Sequence, residues 1–270
     1  MRKLTLCVIV LFLSLYISAQ VKDDDTNLLI IDGYLYGNII EKPEAERHNI
    51  YKRECIITYS YKYFDKNGKE LFFYINKDQS WDFINVNQTK DNVIKDFQLK
   101  ILSDNMNFTD PTYYQTGISY IVNKENVNNK TGLIENEKNI WLHPPREYLF
   151  QILELNPYPY IKFPIEIGHT WSWKLRVGEG WGDKRWKQWK GVAEFNYKYS
   201  IVGKKTIKTN IGNLDCFIVE SEAISKIGKT ELISFFNREY GFVRFEYTNI
   251  DNSKLEIVIK GVMLPMFKVF

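Results

Sequence analysis

Hydrophobic residues recur at every second position over several long stretches of this chain. The clearest are residues 55–63, 195–201, 243–248 and 255–260. Because successive side chains of a β-strand point to opposite faces, the alternation predicts half-buried antiparallel strands. The fold class predicted by this pattern is mainly β.

Turn residues separate these stretches at short intervals. Asn67-Gly68 lies between two apolar runs and predicts a hairpin with a type I′ turn, since both residue types tolerate positive φ. Similar signals punctuate the C-terminal half at 211–213, 227–229, 240–241 and 251–253. Short connections favour sequential neighbours in a sheet, so residues 190–262 are predicted to form an antiparallel meander.

The middle of the chain, residues 139–165, breaks the alternation with five prolines. Pro145 fits the first turn of a helix, where its missing N–H is not needed, and the apolar spacing extends a short helix over 146–155. We therefore expect a curved antiparallel sheet, or half-barrel meander, with one short helix near 146–155. The Pro-rich stretch marks a possible internal boundary, but it lacks the composition of a flexible linker. Residues 20–270 are predicted to form a single compact β domain.

The N-terminus has the pattern of a secretory signal peptide. Arg2 and Lys3 precede a short apolar run that ends at Ser18-Ala19, so residues 1–19 are predicted to be removed on export. Leu6 precedes Cys7, where a lipoprotein signal needs a small residue. No later segment reaches the roughly 18 apolar residues of a transmembrane helix. The expected location is the periplasm or the extracellular side of the cell envelope.

Net charge excludes little except nucleic acid. The formal charge of +3 falls to +1 when Arg2 and Lys3 are removed with the signal peptide. A nearly neutral chain without a basic face has no field that attracts a polyanion, so nucleic acid is disfavoured as a partner. The oligomeric state is not indicated.

Linear signatures of catalysis and of cofactor binding are missing. The chain has no G-x-S-x-G, H-E-x-x-H, C-x-x-C or P-loop motif. His143 and His169 are 26 residues apart with no local ligand pair, so no metal site and no cofactor are predicted. An enzyme is the less favoured interpretation, although sites can be grafted on any fold.

Five of the seven tryptophans lie in residues 168–191. Trp171 and Trp173 alternate with polar residues, as on a core-facing strand. Trp181 lies among glycines and is the one expected to be exposed, while Trp186 begins a returning strand. Large aromatic side chains are mostly buried but are also enriched at binding sites. Trp181 and Trp186 are therefore candidate ligand contacts.

Three further features bear on binding and redox state. Arg146 would open the predicted helix, where a cation opposes the helix dipole, which makes Arg146 and the nearby His143 further ligand candidates. Cys55 and Cys216 remain after signal cleavage, and an oxidising compartment permits a disulfide between them. Two free, strand-embedded cysteines are the alternative.

The C-terminal half contains four recognisable local features: Tyr-x-Ile-Val-Gly at 199–203, a Thr209-x-x-Gly212 turn, the strand 214–221, and the run from Phe236-Asn237 to Val243. In these features residues 197–249 resemble a family of exported bacterial β-proteins of unknown function. The resemblance implies a half-barrel antiparallel sheet, similar in outline to periplasmic lipoprotein carriers. It brings no catalytic residues.

The leading interpretation is a non-enzymatic, exported or envelope-associated binding protein. Its aromatic content of 16% suggests that a concave sheet holds an apolar or amphiphilic ligand. A glycan-binding protein that uses the Trp-rich hairpin 168–191 is one alternative. An outer-membrane β-barrel is another, although Lys260, Pro265 and Lys268 interrupt the apolar alternation that it needs.

Overall fold

A computed structural model describes residues 21–23, 28–31, 34–36, 49–105, 115–123 and 130–264. The predicted signal peptide, residues 1–19, lies outside the described residues. Three short strands, β1 (Val21–Asp23), β2 (Leu28–Ile31) and β3 (Tyr34–Tyr36), form a small antiparallel sheet.

Within the described residues, the main sheet has fifteen strands. They are β4 (Ile56–Phe64), β5 (Glu70–Ile75), β6 (Trp81–Asn85), β7 (Val93–Ile94), β8 (Asp96–Asn105), β9 (Thr116–Ile121), β10 (Lys130–Glu135), β11 (Asn139–Leu142), β12 (Tyr160–Lys162), β13 (Thr170–Gly178), β14 (Val192–Thr209), β15 (Gly212–Ser225), β16 (Gly228–Asn237), β17 (Gly241–Thr248) and β18 (Lys254–Met263). Two 3₁₀ helices span Tyr148–Leu155 and Glu179–Trp181.

The main sheet curves into a nearly closed, antiparallel barrel-like body. Its strand order is β12-β11-β10-β9-β8-β4-β18-β17-β16-β15-β14-β13, so β12 and β13 are the two ends of the order. Residues 163–169 join these end strands directly. Across the seam between them, the rings of Tyr160 and Trp171 lie 5.6 Å apart. The prediction of a mainly β, curved antiparallel sheet is confirmed.

The C-terminal meander is formed by β14 to β18, each strand paired with the next in the chain. Along β14 the inward side chains are buried and the outward ones are exposed, as the alternation in 195–201 predicts. A bulge between Ile201 and Gly203 shifts the register of β14 against β15.

The Asn67-Gly68 hairpin forms, but its turn differs from the predicted type I′. Gly68 has a φ of +79°, whereas Asn67 keeps a negative φ. The N–H of Gly68 donates to the Asp65 carbonyl (2.8 Å), and the N–H of Asp65 donates to the Lys69 carbonyl (3.0 Å). This is the pattern of a longer loop in which glycine takes the single left-handed position.

The short helix is present as a 3₁₀ helix over Tyr148–Leu155 and begins two residues later than predicted. Together with its flanks it forms a segment that we call the plug, residues 143–159. The plug connects the end of β11 to the start of β12, which lie at the same end of the barrel. Between these two points it crosses the barrel interior. The hydroxyl of Thr230 donates to the Leu155 carbonyl (2.8 Å), and Asn156 Nδ2 donates to Asn249 Oδ1 (2.9 Å).

The two ends of the barrel are closed by different parts of the chain. The end with the 163–169 loop is called the upper end, and the end with residues 179–191 the lower end. At the upper end, Tyr51 is fully buried, and its hydroxyl accepts a hydrogen bond from the Phe242 N–H (2.9 Å). Gly241, with a φ of +73°, leaves the space that this hydroxyl occupies. The plug and the β5–β7 hairpin region cover the lower end.

Candidate functional site

The sequence-predicted ligand residues all lie at the lower end of the barrel. His143 and Arg146 belong to the first part of the plug, and Trp181 and Trp186 belong to the 179–191 loop. The two segments touch, since Gln151 Nε2 donates to the Gly180 carbonyl (3.4 Å). The structure thus brings the plug and the 179–191 loop together, but the candidate side chains on them do not converge on one site, because each contacts a different part of the barrel.

Trp186 is packed rather than presented to solvent. It is 8% exposed, and its ring stacks on that of Trp81 in β6, with centroids 6.2 Å apart. Its indole N–H donates to the Trp181 carbonyl (3.4 Å). Trp181 itself is half-buried and packs against the core, whereas the glycine-rich sequence predicts an exposed side chain.

Arg185 fastens this loop to the β5–β6 hairpin. Its guanidinium lies 3.5 Å from the ring centroid of Trp81 and donates to the Trp81 carbonyl (3.0 Å). Two further bonds, of 2.9 and 2.6 Å, join it to the carboxylate of Asp183. The hydrogen bonds from Arg185 hold the pKa of the Asp183 carboxyl below its usual value. The cluster closes the lower end of the barrel. The Trp186 ring stacks on Trp81 and has no exposed face on which a ligand could stack.

Trp171 and Trp173 are core residues, as their alternation predicts. Their rings stack on Tyr199 (5.3 Å) and on Tyr197 (4.5 Å), respectively. The indole N–H of Trp173 donates to the Tyr199 hydroxyl (3.0 Å), which donates in turn to the Tyr158 carbonyl (3.0 Å). Trp173 therefore contacts the plug through Tyr158, with ring centroids 5.8 Å apart, whereas Trp171 packs on Tyr160 at the seam.

His143 is buried within the plug, at 2% exposure. Its Nδ1 lies 2.8 Å from the Pro144 carbonyl oxygen, and its Nε2 lies 3.6 Å from Glu154 Oε1. Glu154 also accepts a hydrogen bond from the Tyr158 hydroxyl (2.6 Å). Burial, with a smaller contribution from the Arg146 cation, lowers the pKa of His143 to about 3. A neutral imidazole enclosed in this way has no access to a ligand in solution.

Arg146 lies at the start of the plug and is half-buried. Its Nη2 donates to the Lys130 carbonyl in β10 (3.2 Å). The helix that it was predicted to open begins at Tyr148, two residues further along the chain. The mismatch between its charge and the helix dipole is correspondingly reduced, and the side chain has a structural partner.

The disulfide considered for Cys55 and Cys216 is not formed, because both are buried free thiols. Cys55 immediately precedes β4, while Cys216 lies in β15, four strands away in the sheet order. At about 4.8 Å per strand step, this separation is roughly 19 Å along the sheet, far beyond the reach of a disulfide. Burial raises the pKa of both thiols, that of Cys216 to about 12.

Within the described residues, no group of three or more His, Cys, Asp or Glu side chains is placed to hold a metal ion. The same part of the chain contains no helix that is long and apolar enough to span a membrane.

The barrel interior is filled by side chains of the sheet and of the plug. A small cavity among Tyr59, Phe97 and Tyr247 measures about 10 Å³, which is the space of a single water molecule. Phe150 at the centre of the plug packs its ring 4.7 Å from that of Phe97. An apolar ligand on the concave face would have to displace this packing.

A much larger concavity lies on the opposite, outward face of strands β13 to β16. We call it the outer groove; its volume is about 810 Å³, within the range of small-molecule sites. Its outward side chains are Thr170, Ser172, Lys198, Ser200, Glu220, Glu222, Glu231 and Ile233. Alternation along β15 predicts an outward face for Glu220 and Glu222 but not the curvature that makes this face concave, so the sequence does not indicate the groove.

The hydrophilic character of the groove follows from strand register. Ser172 lies opposite Lys198, and Ser200 lies between Thr170 on one side and Glu220 on the other. The short hydroxyl side chains leave space that the longer charged side chains border. Lys229, at the rim, bridges Glu222 (3.0 Å) and Glu231 (2.9 Å), and these two bonds raise the pKa of its ammonium group.

Comparison with known proteins gives weak structural similarity. No family model and no curated protein sequence matches the chain. Among solved structures, a predicted exported protein with a YmcC-like fold from Bacteroides fragilis is 10% identical, with a TM-score of 0.45, and covers 82% of this chain and 100% of its own. A predicted lipoprotein from Parabacteroides distasonis is 13% identical, with a TM-score of 0.44 and the same coverage.

The hypothetical lipoprotein YmcC from Escherichia coli is also similar, at 13% identity and a TM-score of 0.31, over 82% of this chain and 91% of its own. The descriptions of these chains, one exported protein and two lipoproteins, are consistent with the resemblance of residues 197–249 to exported bacterial β-proteins.

Proposed function

We propose that this chain is an exported, non-enzymatic envelope protein that binds a hydroxyl-rich ligand of the glycan class in the outer groove. The observation that carries the proposal is the groove itself, about 810 Å³ in volume and bordered by hydroxyl and charged side chains. Export is supported by the signal-peptide pattern of residues 1–19.

The chemistry of the groove favours a neutral polar ligand. Hydroxyl groups both donate and accept hydrogen bonds, carboxylates accept, and lysine donates, so the lining matches the mixed donors and acceptors of a saccharide. Thr170, Ser172 and Ser200 supply the hydroxyls, and Lys198 and Glu220 supply charges of opposite sign. Of the three carboxylates of the lining, Glu222 and Glu231 are paired with Lys229, so the groove carries no excess of positive charge that would favour phosphate or another polyanion.

The filled interior favours the outer groove over a concave-face site for an apolar ligand. Most side chains of the interior are aromatic or aliphatic and almost completely buried, and the buried polar ones, such as His143 and Glu154, are hydrogen-bonded within the plug. Displacing Phe150 or Trp173 to admit a ligand would forfeit their packing and burial, which is typically several kcal/mol for a large core side chain. The polar groove requires no such rearrangement.

Glycan-array binding of the mature protein tests the proposal with one blocking variant and two controls. Ser200→Tyr should fill the groove with a large side chain and reduce binding at least about tenfold, which corresponds to about 1.4 kcal/mol of binding free energy. Asn196→Tyr, on the same strand and face but outside the groove, should bind like the wild type. Trp181→Ala should also retain binding.

Two outcomes would contradict the groove as the site. Absence of wild-type binding to every glycan on the array would refute the ligand class. Loss of binding in Trp181→Ala together with normal binding in Ser200→Tyr would move the site to the Trp-rich hairpin 168–191.

A further inference from the structure

Exposed large hydrophobic side chains are concentrated at the upper end of the barrel. Among the described residues, those at this end are Phe163, Ile167, Val202, Met263 and Leu264. Val192 and Ile224 are exposed in the lower half. Because single exposed apolar residues are common, the informative feature is this bias toward one end.

Three of these residues lie in the 163–169 loop or beside it on β14, and we call them the seam patch: Phe163, Ile167 and Val202. The Gly168 N–H donates to the Ile201 carbonyl (2.7 Å), which sets Ile167 beside Val202. The Phe163 N–H donates to the Lys138 carbonyl (2.8 Å) and ties the other end of the loop to the β10–β11 turn. The loop therefore holds its apolar side chains outward on a fixed backbone.

Lysines border the seam patch. Lys138, Lys162, Lys204 and Lys205 lie in the segments that carry it, against Glu137 and Glu166. Lys162 is half-buried, and this partial desolvation lowers the pKa of its ammonium group. Apolar side chains flanked by long cationic ones match the boundary between anionic lipid headgroups and acyl chains, where the stems contact the apolar region and the ammonium groups contact the headgroups.

The remaining apolar residues of this end are Met263, the last residue of β18, and Leu264. In the sheet order five strands separate β18 from β12, and three separate it from β14. Apolar side chains at two separate places on one end suit a planar surface that touches both at once. A small partner seated on the seam patch would leave Met263 and Leu264 uncovered.

We propose that the upper end of the barrel docks on an anionic phospholipid surface, with Phe163 and Ile167 entering the interfacial layer. The outer groove, on the side of the barrel, stays open to its ligand in this orientation. The inference is independent of the glycan proposal, because the two surfaces share no residue.

Vesicle flotation of the purified mature protein provides the test. We expect binding to vesicles of equal parts phosphatidylglycerol and phosphatidylcholine, and weak binding to phosphatidylcholine alone, with binding lost as salt screens the lysines. The double variant Phe163→Ser/Ile167→Ser should bind the anionic vesicles at least about tenfold more weakly. The matched control Val192→Ser/Ile224→Ser should bind like the wild type.

A second measurement keeps the test independent of folding defects. Ile167→Cys can be labelled selectively with an environment-sensitive dye, because Cys55 and Cys216 are buried. Its emission should shift to the blue on addition of the anionic vesicles, whereas the same dye on Ile224→Cys should not respond.

Three results would overturn the proposal. The first is an absence of wild-type flotation with anionic vesicles. The second is equal loss of binding in the two double variants. The third is a concentration-dependent dimer, seen by sedimentation, that Phe163→Ser/Ile167→Ser abolishes, since a second copy would then occupy the patch.

Discussion

The imidazole of His143 shows how burial sets the chemistry of a single residue in this barrel. Trp141 and Tyr158 contact its ring, with centroids 5.9 and 4.9 Å away, and the Tyr120 hydroxyl donates to its carbonyl (2.6 Å). The charged or titratable groups around it are Arg146, Glu154, Tyr158 and Tyr120. With Nδ1–H donated to the Pro144 carbonyl, the neutral form is the one that the site accommodates.

Stability should therefore fall as the pH drops below the ordinary histidine value. The pKa of His143 is about 3 in the folded protein, so between pH 6.5 and 3 the unfolded chain binds a proton that the folded chain does not. At pH 5 this difference costs about 2 kcal/mol. Urea unfolding at pH 7.5 and pH 5 should show that loss in the wild type and in His169→Gln, but a much smaller one in His143→Gln. A pH dependence unchanged in His143→Gln would contradict the assignment.

At the scale of the element, the end of strand β10 holds residues 49–51, a segment that is more than 80 residues away in the sequence, in place. Glu135 ends β10 and is 3% exposed. Its carboxylate accepts three backbone hydrogen bonds, from the N–H groups of Asn49 (3.0 Å), Ile50 (2.9 Å) and Tyr51 (2.9 Å). These bonds fix the segment that carries Tyr51 into the upper end of the barrel, where its hydroxyl reaches Phe242.

The isosteric change Glu135→Gln tests that anchor. The amide retains one acceptor oxygen and turns an NH₂ group toward backbone donors, which should lower the free energy of unfolding by about 1–3 kcal/mol. Hydrogen exchange at residues 49–51 should accelerate along with it. Glu137→Gln, two residues further on in the exposed turn, should change stability by less than about 0.5 kcal/mol. Equal effects of the two variants would refute a specific anchor.

For the molecule as a whole, the plug decides what the barrel can do. A curved sheet of this size encloses a volume that must be occupied by side chains or by a ligand. Here residues 143–159 occupy it from the lower end. Fully buried Phe150 lies 5.5 Å from Tyr61, 5.8 Å from Phe73 and 4.7 Å from Phe97, measured between ring centroids.

Phe150→Ala should open a cavity at the centre of this packing. We expect a loss of about 3–5 kcal/mol in the free energy of unfolding, partly recovered on addition of benzene, which apolar cavities of this kind bind. Ile224→Ala, on the outer face, provides the control and should cost far less. A loss below about 1 kcal/mol for Phe150→Ala would show that the plug does not depend on this contact.

The sequence alone determined the strands, most turns and the direction in which their side chains point. Alternation in 195–201 and around Trp171 and Trp173 correctly separates core from surface, because a strand repeats every two residues whatever it packs against. Asn67-Gly68 likewise predicts its hairpin, although not the turn type, in which the Asp65 carboxylate accepts hydrogen bonds from the N–H groups of Asn67 and Lys69. These features depend on local backbone geometry, which is encoded within a few residues.

Only the tertiary structure decided how the sheet closes, what fills it and where a ligand fits. Arg185 contacts Trp81, which is 104 residues away in the sequence, and no local pattern marks that pair. A reader who does not know of this contact can interpret Trp186 equally well as a ligand-binding residue. The hydroxyls of Ser172 and Ser200 are visible as outward positions in the sequence, but their groove depends on the curvature of four paired strands, with one bulge between Ile201 and Gly203. Curvature is a collective property of paired strands, so a periodicity read along one strand cannot contain it.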